Sequence, residues 1–324
     1  MQTPAQPTPI RDLKEKDTLH QAFLVREKTV ALGKNGRPFM SVVFSDKTAQ
    51  IDGRLWDNVE SVTRDFDTGD VVMVKGQIQI FQGRKQLVIH KIEKMDPATY
   101  KREDFVPEQV DAQHVYLELL EIVRTMQHAP LKQLVLDTIE DPELKPMLLR
   151  APAAKSIHHA WNGGLLEHVV SICRIMDFFA NHYGDLNRDL LIFGAIYHDI
   201  GKLWELSYAD QLGYTSRGRL IGHMEMGCEL VDKKASKILG FSQELRDACK
   251  HIILSHHGKL EYGSPALPQF PEAMLVAMVD DLDSKMSTIR TFINLERSSG
   301  AEWSRYNELF SRYFLLENMK TKFP

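Results

Sequence analysis

Apolar and polar residues alternate through the first third of the chain, from residue 18 to about residue 95. The alternation is clearest in three stretches, at residues 39–44, 49–56 and 71–78. A period of two is typical of half-buried β-strands, and Gly36 and Gly83 lie where tight turns would join such strands. About five strands in a segment of this length predict a closed or nearly closed β-barrel.

After residue 98 the apolar residues recur at helical spacing instead. Apolar residues at i, i+3, i+4 and i+7 predict amphipathic helices that bury one face. We predict helices at residues 110–126, 131–139, 165–181, 189–203 and 273–292. The fold class expected from the two patterns is a multidomain α+β protein, in which a five-stranded barrel is followed by an all-α domain.

Length and composition set the expected domain boundaries. With 324 residues the chain exceeds the size at which a single core stops growing, so two domains are expected. The first residues are rich in glutamine, threonine and proline, which favours disorder. We predict a disordered lead-in at residues 1–14, the barrel domain at 15–97, a helical linker at 98–150 and the second domain at 151–324.

The composition also indicates the compartment. Apolar residues make up 43% and charged residues 26% of the chain, as in globular proteins. No apolar run reaches the roughly 18 residues of a membrane span, and the N terminus does not resemble a secretory signal. Cys173, Cys228 and Cys249 are widely spaced and form no C-x-x-C pair. These features predict a cytoplasmic protein without a membrane partner.

Basic residues concentrate in one part of the barrel segment. Residues 71–102 hold seven lysines and arginines against two acidic residues, although the net charge of the chain is −4. Such a local excess attracts phosphate, and exposed aromatic rings beside cations suit single-stranded nucleic acid, because bases stack on the rings. The candidates for strand binding are Arg37, Phe39, Arg54, Trp56, Phe81, Arg84 and Lys85. Alternatively, Phe44 and Trp56 fill the barrel interior.

A His–Asp pair, His198 and Asp199, stands near the end of an apolar helical run. Adjacent imidazole and carboxylate groups offer a divalent metal a neutral nitrogen and an anionic oxygen, as manganese, iron, cobalt, nickel or zinc would accept. With similar residues in other apolar stretches, the candidate ligands are His168, His198, Asp199, His223, His256, His257 and Asp280. His168 alone would also fit a hydrogen-bonded core residue, and Asp281 is an alternative to Asp280.

The order of these residues resembles the HD superfamily of metal-dependent phosphohydrolases, an all-helical fold named for its His–Asp pair. Residues 35–57 and 69–76 resemble the OB-fold, a barrel that binds oligonucleotides. Together with short motifs at residues 158–159, 163–168, 222–223, 256–258 and 261–265, the chain resembles the YhaM-type 3′→5′ exoribonucleases of bacteria. Cyclic-di-GMP phosphodiesterases of the same superfamily carry a Gly-Tyr-Pro signature after the His pair, which residues 258–268 lack.

The resemblance implies a centre for two divalent ions, with manganese favoured. It implies that one ion is held by His168, His198, Asp199 and Asp280. It implies that the second ion shares Asp199 and is held further by His223, His256 and His257. Besides Asp199, two residues are candidates for catalysis. Lys202 could stabilise charge on a phosphate or only complete a helix end, and His159 could assist the leaving 3′ oxygen or lie exposed to solvent.

Three functions compete at this point. The first is a 3′→5′ exoribonuclease that hydrolyses single-stranded RNA, or DNA, to nucleoside 5′-monophosphates through a metal-activated water. The second is a phosphohydrolase of free nucleotides or cyclic (di)nucleotides with a regulatory OB-fold. The third is a non-catalytic single-strand-binding protein. Tyr313, Phe314 and Leu315 predict a packed helix or an interface, so a homo-oligomer is one alternative for the assembly of the chain.

Overall fold

The computed structural model describes residues 7–33, 36–81, 83–105, 111–153, 163–207, 213–297 and 301–322. The chain forms two compact units, one that combines Met1–Glu108 with Arg290–Pro324 and one that comprises Gln109–Ile289. Within the described residues, no helix is both long enough and apolar enough to cross a membrane.

The first unit is built on a closed five-stranded barrel. Its strands are β1 (Thr18–Leu32), β2 (Pro38–Ser45), β3 (Gln50–Leu55), β4 (Val71–Phe81) and β5 (Arg84–Lys94), and a short helix α1 (Val59–Val62) lies between β3 and β4. The strand order is β1-β2-β3-β5-β4, with β4 pairing back onto β1. The β3–β5 pair is parallel and the other pairs are antiparallel. The predicted closed barrel is confirmed.

The apolar positions of the alternating pattern form the barrel core. Met40, Val42 and Phe44 take alternate positions on β2 and are fully buried. Gly53 on β3 leaves room for the ring of Phe44, because a Cβ at this position would lie 2.6 Å from a ring carbon. Phe44 therefore fills the barrel interior, as the alternative interpretation of the sequence proposed.

The segment before β1 differs from the predicted disordered lead-in. Residues 10–12 form a short 3-10 helix, and the side chains of Ile10 and Leu13 are only 2% and 1% exposed. Both side chains belong to the barrel core, and the Ile10 amide donates to Oδ2 of Asp46 at 2.6 Å. Two apolar residues among prolines and polar residues form too short a pattern to predict this packing.

The second unit is helical. Its helices are α2 (Ala112–Arg124), α3 (Ala129–Ile139), α4 (Leu144–Leu148), α5 (Gly164–Tyr183), α6 (Arg188–Tyr197), α7 (Lys202–Glu205), α8 (Ser216–Ile221), α9 (His223–Ala235), α10 (Gln243–Ser255) and α11 (Pro271–Arg297), the last of which belongs to this unit up to residue 289. A small two-stranded sheet, β6 (Leu206–Ser207) with β7 (Gly213–Tyr214), adds to the predicted all-α domain. Side chains that accept hydrogen bonds from first-turn amides begin several helices, including Asn187 before α6 and Ser242 before α10.

One hydrophobic core joins most of these helices. Val115, Leu119 and Val123 of α2 are buried in the same core as Val169 of α5 and Ile196 of α6. The structure thus groups residues 109–289 in the helical unit, whereas the sequence pattern predicted a separate helical linker at residues 98–150.

The C-terminal segment also differs from the predicted boundaries, which placed it in the second domain. Residues 290–324 group with the barrel. Arg84 on β5 donates from Nη1 to Oε2 of the buried Glu296 at 2.7 Å, and the Arg305 amide donates to the same oxygen at 2.8 Å. Antiparallel bridges then pair Trp303 with Leu315 and Asn307 with Arg312, and a last helix, α12, spans Met319–Lys322. Such contacts between distant segments carry no periodic signal in the sequence.

Candidate metal centre

Three of the predicted ligands from three different helical segments meet in the helical unit. His168 lies on α5, His198 directly follows α6, and Asp280 lies on α11. Nε2 of His168 is 3.2 Å from Oδ1 of Asp280, and Nε2 of His198 is 3.7 Å from the same oxygen. The two Nε2 atoms face each other at 3.3 Å. All three ligand atoms lie within 4.8 Å of one another, which is close enough for one metal ion to contact them all. We call His168, His198 and Asp280 the first ligand group.

Three further histidines form a second ligand group, His223, His256 and His257. His223 is the first residue of α9, and the other two directly follow α10. Their ligand atoms also lie within 4.8 Å of one another.

Asp199 lies between the two groups. Its Oδ2 is 3.4 Å from Nε2 of His198, whereas its Oδ1 is 3.6 Å from Nε2 of His223 and 3.7 Å from Nε2 of His256. One carboxylate therefore presents one oxygen to each group. The structure brings together all seven predicted ligands.

Asp199 lies in a short turn segment between two helices. The sequence pattern predicted one helix over residues 189–203, but α6 ends at Tyr197 and α7 begins at Lys202. Gly201 lies in this turn, where a Cβ would come within 1.9 Å of the backbone oxygen of His223. Glycine at this position thus allows the turn that carries Asp199 to approach the start of α9.

The five candidate ligand histidines all use Nδ1 for a hydrogen bond. Backbone carbonyl oxygens of Gly194, Ile253 and Tyr262 accept from His198, His256 and His257 at 3.1, 2.7 and 2.8 Å, respectively. Asp283 Oδ2 lies 2.8 Å from Nδ1 of His168, and Glu205 Oε1 lies 3.0 Å from Nδ1 of His223. A carbonyl oxygen can only accept, so Nδ1 carries the proton in those three rings and Nε2 presents a lone pair to the centre.

Neighbouring charges set the ionisation of these groups. Burial alone would lower the pKa of His168, but the carboxylates of Asp280 and Asp283 raise it to about 9. Burial opposes ionisation of the Asp199 carboxyl. The Lys202 ammonium, followed by His198 and His223, nevertheless holds the pKa of this carboxyl well below the usual range. Burial lowers the pKa of His256 well below the ordinary histidine value. In the metal-free centre Asp199 is thus ionised and His256 is neutral, which are the ligand forms that a divalent ion requires, whereas His168 must release a proton when an ion binds.

Unpartnered polar atoms indicate that the centre fits a metal. Among the described residues, four buried side-chain nitrogen or oxygen atoms lack a hydrogen-bond partner, and three belong to this centre: Oδ1 of Asp199 and Nε2 of His223 and His256. A buried polar atom without a partner is costly. Oδ1 of Asp199 is 3.6 Å from Nε2 of His223 and 3.7 Å from Nε2 of His256, so one cation could contact all three atoms.

The structure also separates the two candidate aspartates of α11. Oδ1 of Asp280 faces His168, whereas Asp281 is exposed and pairs with Lys285 at 2.6 Å. A helical step of about 100° per residue accounts for the difference.

Sequence reasoning missed two residues of the site, Glu205 and Asp283. Glu205 and Asp283 hold His223 and His168, and only their positions near ligands along the chain could have indicated this. Lys202 donates from Nζ to Oδ2 of Asp199 at 2.6 Å. The candidate His159 lies outside the described residues.

In the barrel unit, an aromatic pair lies on the surface. The ring centroids of Phe39 and Trp56 are 5.1 Å apart, and Trp56 is 54% exposed. Arg54 lies opposite Ser41 in the β2–β3 ladder and donates to its hydroxyl. Because side chains alternate along a strand, Ser41 and Arg54 share the outer face with Phe39 and Trp56. We call Phe39, Arg54 and Trp56 the aromatic surface.

The other candidates for strand binding are placed differently. Phe81 is 58% exposed at the end of β4, and Arg37 is exposed just before β2. Arg84 is engaged by Glu296, and Lys85 donates to the backbone oxygen of Arg11 at 3.4 Å. The structure brings Phe39, Arg54 and Trp56 together. The Arg84 guanidinium instead pairs with the Glu296 carboxylate of the same unit.

Comparison with known proteins agrees with this geometry. Residues 165–285 match the HD domain, and residues 24–95 match an OB-fold nucleic acid binding domain. The 3′-5′ exoribonuclease YhaM of Geobacillus sp. (strain WCH70) is 32% identical over 308 residues, which cover 91% of this chain and 89% of that protein. The protein of the same name from Bacillus subtilis (strain 168) is 30% identical over 304 residues, 93% of each chain. The chain belongs to the YhaM family of 3′-5′ exoribonucleases.

The resemblance inferred from the sequence motifs is thereby confirmed, as is the fold class of an OB-fold barrel followed by an HD domain. The part of this YhaM family member that matches the HD domain contains all seven predicted ligands. An HD domain implies dependence on a divalent metal, and the two ligand groups could hold one.

Proposed function

We propose that this protein is a metal-dependent 3′→5′ exoribonuclease that acts on single-stranded RNA. Hydrolysis of the terminal phosphodiester with one water molecule would release a nucleoside 5′-monophosphate and leave a 3′-hydroxyl on the shortened strand. The observation that carries the proposal is the position of Asp199, whose two carboxylate oxygens face two separate ligand groups. Family membership supports the choice of reaction.

We propose two divalent ions, with manganese favoured, and Asp199 as their shared ligand. The first ligand group would hold one ion and the second ligand group the other. When bound, the ions supply Lewis acidity, which polarises a phosphoryl oxygen and lowers the pKa of water. Imidazole and carboxylate donors suit manganese, iron, cobalt, nickel and zinc, so the ligand types alone do not select the ion.

The residues of the chain prepare the centre for this role. The hydrogen bonds at Nδ1 hold the five imidazole rings with Nε2 toward the centre. Lys202 places a cation against Oδ2 of Asp199, where it would also attract a substrate phosphate. For His159, assistance to the leaving 3′ oxygen stays a prediction from the sequence.

For substrate binding, we propose that the aromatic surface of the barrel stacks bases of a single strand. Phe39 and Trp56 offer adjacent rings, and Arg54 offers a cation on the same face. Phe81 and Arg37 are exposed and could extend this surface, whereas the ion pair of Arg84 with Glu296 makes Arg84 a weaker candidate. We also propose a cytoplasmic location, which suits three free and buried cysteines.

The test uses a 5′-labelled single-stranded RNA of about 20 nucleotides, longer than the ~4–16 nucleotides that one OB-fold covers. With manganese, the wild type should give a ladder that shortens from the 3′ end. Asp199→Ala should slow the reaction by about 10³-fold or more, since metal polarisation is worth several kcal/mol. Asp281→Asn is a matched control, because it removes a nearby carboxylate that faces solvent.

Two outcomes would contradict the proposal. Intact RNA in the wild-type lane despite bound metal would exclude an exonuclease and favour a hydrolase of free or cyclic nucleotides, which should ignore chain length. Equal ladders from the wild type and Asp199→Ala would show that the chemistry lies elsewhere. A single-strand-binding protein without catalysis would retain RNA and never shorten it.

A further inference from the structure

Two carboxylates bind the Nδ1 atoms of candidate ligand histidines, one histidine in each ligand group. Oδ2 of Asp283 accepts from Nδ1 of His168 at 2.8 Å, and Oε1 of Glu205 accepts from Nδ1 of His223 at 3.0 Å. The other three ligand histidines use backbone carbonyl oxygens for the same contact. Each group therefore contains one histidine that is backed by a full negative charge.

Asp283 is itself held in place. Its Oδ1 accepts from the hydroxyl of Ser171 at 2.5 Å. Ser171 and His168 lie on α5, whereas Asp283 lies on α11, three residues after Asp280. One carboxylate thus links α5 and α11, two of the three segments that supply the first ligand group, and it fixes the ring of His168 relative to Asp280.

Glu205 has a similar place in the second ligand group. Its Oε1 accepts from the His223 backbone amide at 3.1 Å as well as from the ring. This amide is in the first turn of α9, where helix amides lack a partner within the helix. The backbone of Glu205 is also closely packed, because a Cβ on Gly218 would lie 2.2 Å from its carbonyl oxygen. Glu205 therefore fixes both the start of α9 and the ring that faces Asp199.

We propose that Asp283 and Glu205 are positioning residues that set the orientation and electron donation of one metal-binding histidine each. The proposal rests on the proposed function only in that divalent ions bind the two ligand groups. A carboxylate that accepts from Nδ1 fixes the ring and makes Nε2 a stronger donor, and loss of such a partner typically weakens metal binding 10- to 100-fold. Asp283 acts on the first ligand group and Glu205 on the second.

The experiment measures metal binding in the absence of RNA. Metal-free full-length protein is titrated with cobalt(II), and the affinity of each ion is read from the visible absorbance and from calorimetry. Asp283→Asn and Glu205→Gln keep the side-chain volume and remove the charge. We expect each to weaken the binding of one ion by about 10- to 100-fold while leaving the other ion within a few-fold, and the double variant should weaken both.

Matched controls separate this effect from a general loss of negative charge. Asp281→Asn lies on the same helix as Asp283 and faces solvent, and Glu225→Gln lies exposed on the same helix as His223. Both controls should bind two ions with wild-type affinity. Wild-type affinity in Asp283→Asn and Glu205→Gln would overturn the proposal, and so would equal losses in the controls.

Folding is followed by circular dichroism and thermal unfolding of the metal-free proteins. A merely structural role would lower the unfolding temperature without changing the metal affinity of the folded protein. Should an amide variant fail to fold, Ser171→Ala and Glu205→Asp test the same contacts, since each keeps the charge and disturbs its position. Wild-type affinity in these two variants would then overturn the proposal. A wild type that binds no ion would contradict the proposed function instead.

Discussion

Arg84 donates to Glu296 at 2.7 Å across 212 residues of sequence, and the Glu296 carboxylate is buried. Arg305 also approaches this carboxylate, with its backbone amide at 2.8 Å and its Nε at 3.3 Å. The contact attaches the C-terminal segment to the barrel within one compact unit. The contact also involves Arg84, which the sequence pattern predicted to bind nucleic acid.

Arg84→Ala should destabilise the barrel unit, because it removes a hydrogen bond from a buried carboxylate. We expect the free energy of unfolding to fall by about 1–3 kcal/mol. Urea unfolding followed by circular dichroism measures the change. Lys91→Ala is the control, since Lys91 and Glu93 form an exposed pair at 2.7 Å that is worth less than about 1 kcal/mol. Equal effects of the two substitutions would contradict the assignment.

Trp56→Ala should weaken RNA binding without affecting stability, because the ring is more than half exposed and available for stacking. Loss of one stacked base costs about 1–3 kcal/mol, which is roughly a 5- to 150-fold rise in Kd. Fluorescence anisotropy with labelled single-stranded RNA and metal-free protein gives the affinity. Phe44→Ala should show the opposite pattern, a loss of about 3–5 kcal/mol in stability, since its ring is fully buried. Unchanged RNA affinity in Trp56→Ala would remove this residue from the aromatic surface.

Gly201→Ala should disturb the second ligand group, because the new Cβ would lie 1.9 Å from the His223 backbone oxygen. Backbone atoms cannot yield as a side chain does, so we expect a loss of about 1–3 kcal/mol in stability together with weaker binding of one ion. Gly213→Ala is the control, since nothing lies within 4 Å of its added Cβ. Urea unfolding and cobalt titration measure both quantities, and wild-type values for Gly201→Ala would show that the turn adapts.

The three cysteines should resist thiol reagents in the folded protein. All three are buried, and burial raises the pKa of Cys228 to about 12 and also raises the pKa of Cys173 and Cys249. A raised thiol pKa means that the reactive thiolate is scarce at pH 8. Reaction with an aromatic disulfide reagent at pH 8 should be slow in native protein and should reach three thiols per chain after denaturation. Rapid labelling of the native protein would contradict the burial of these residues.

Local patterns in the sequence predicted the parts of the fold that repeat. Alternate burial of Met40, Val42 and Phe44 follows from a period of two, and the helix of His168 follows from apolar residues at helical spacing. The seven candidate ligands that the structure brings together could also be selected from the sequence, because histidines and aspartates in apolar stretches need a partner. The resemblance to the HD superfamily then divided them into two groups.

Contacts between distant segments were not accessible in this way. Glu205 and Asp283 are ordinary acidic residues in the sequence, and their importance depends on which ring lies beside them. The need for glycine at Gly201, between α6 and α7, depends on the backbone of His223, which lies 22 residues further along the chain. Burial of Ile10 and Leu13 likewise depends on the barrel that covers them. In each case the cause is a neighbour in space that no periodicity encodes.

The helices that carry the two ligand groups are joined by a hydrophobic core that runs from Val115 on α2 to Val279 on α11. In small zinc domains the metal takes the place of such a core, and removal of the ion unfolds the chain. Here the helices are packed together by apolar side chains rather than by a metal ion. We therefore expect a chelator to remove the bound metal without unfolding the helical unit, and we expect the folded apoprotein to accept a metal of the experimenter's choice.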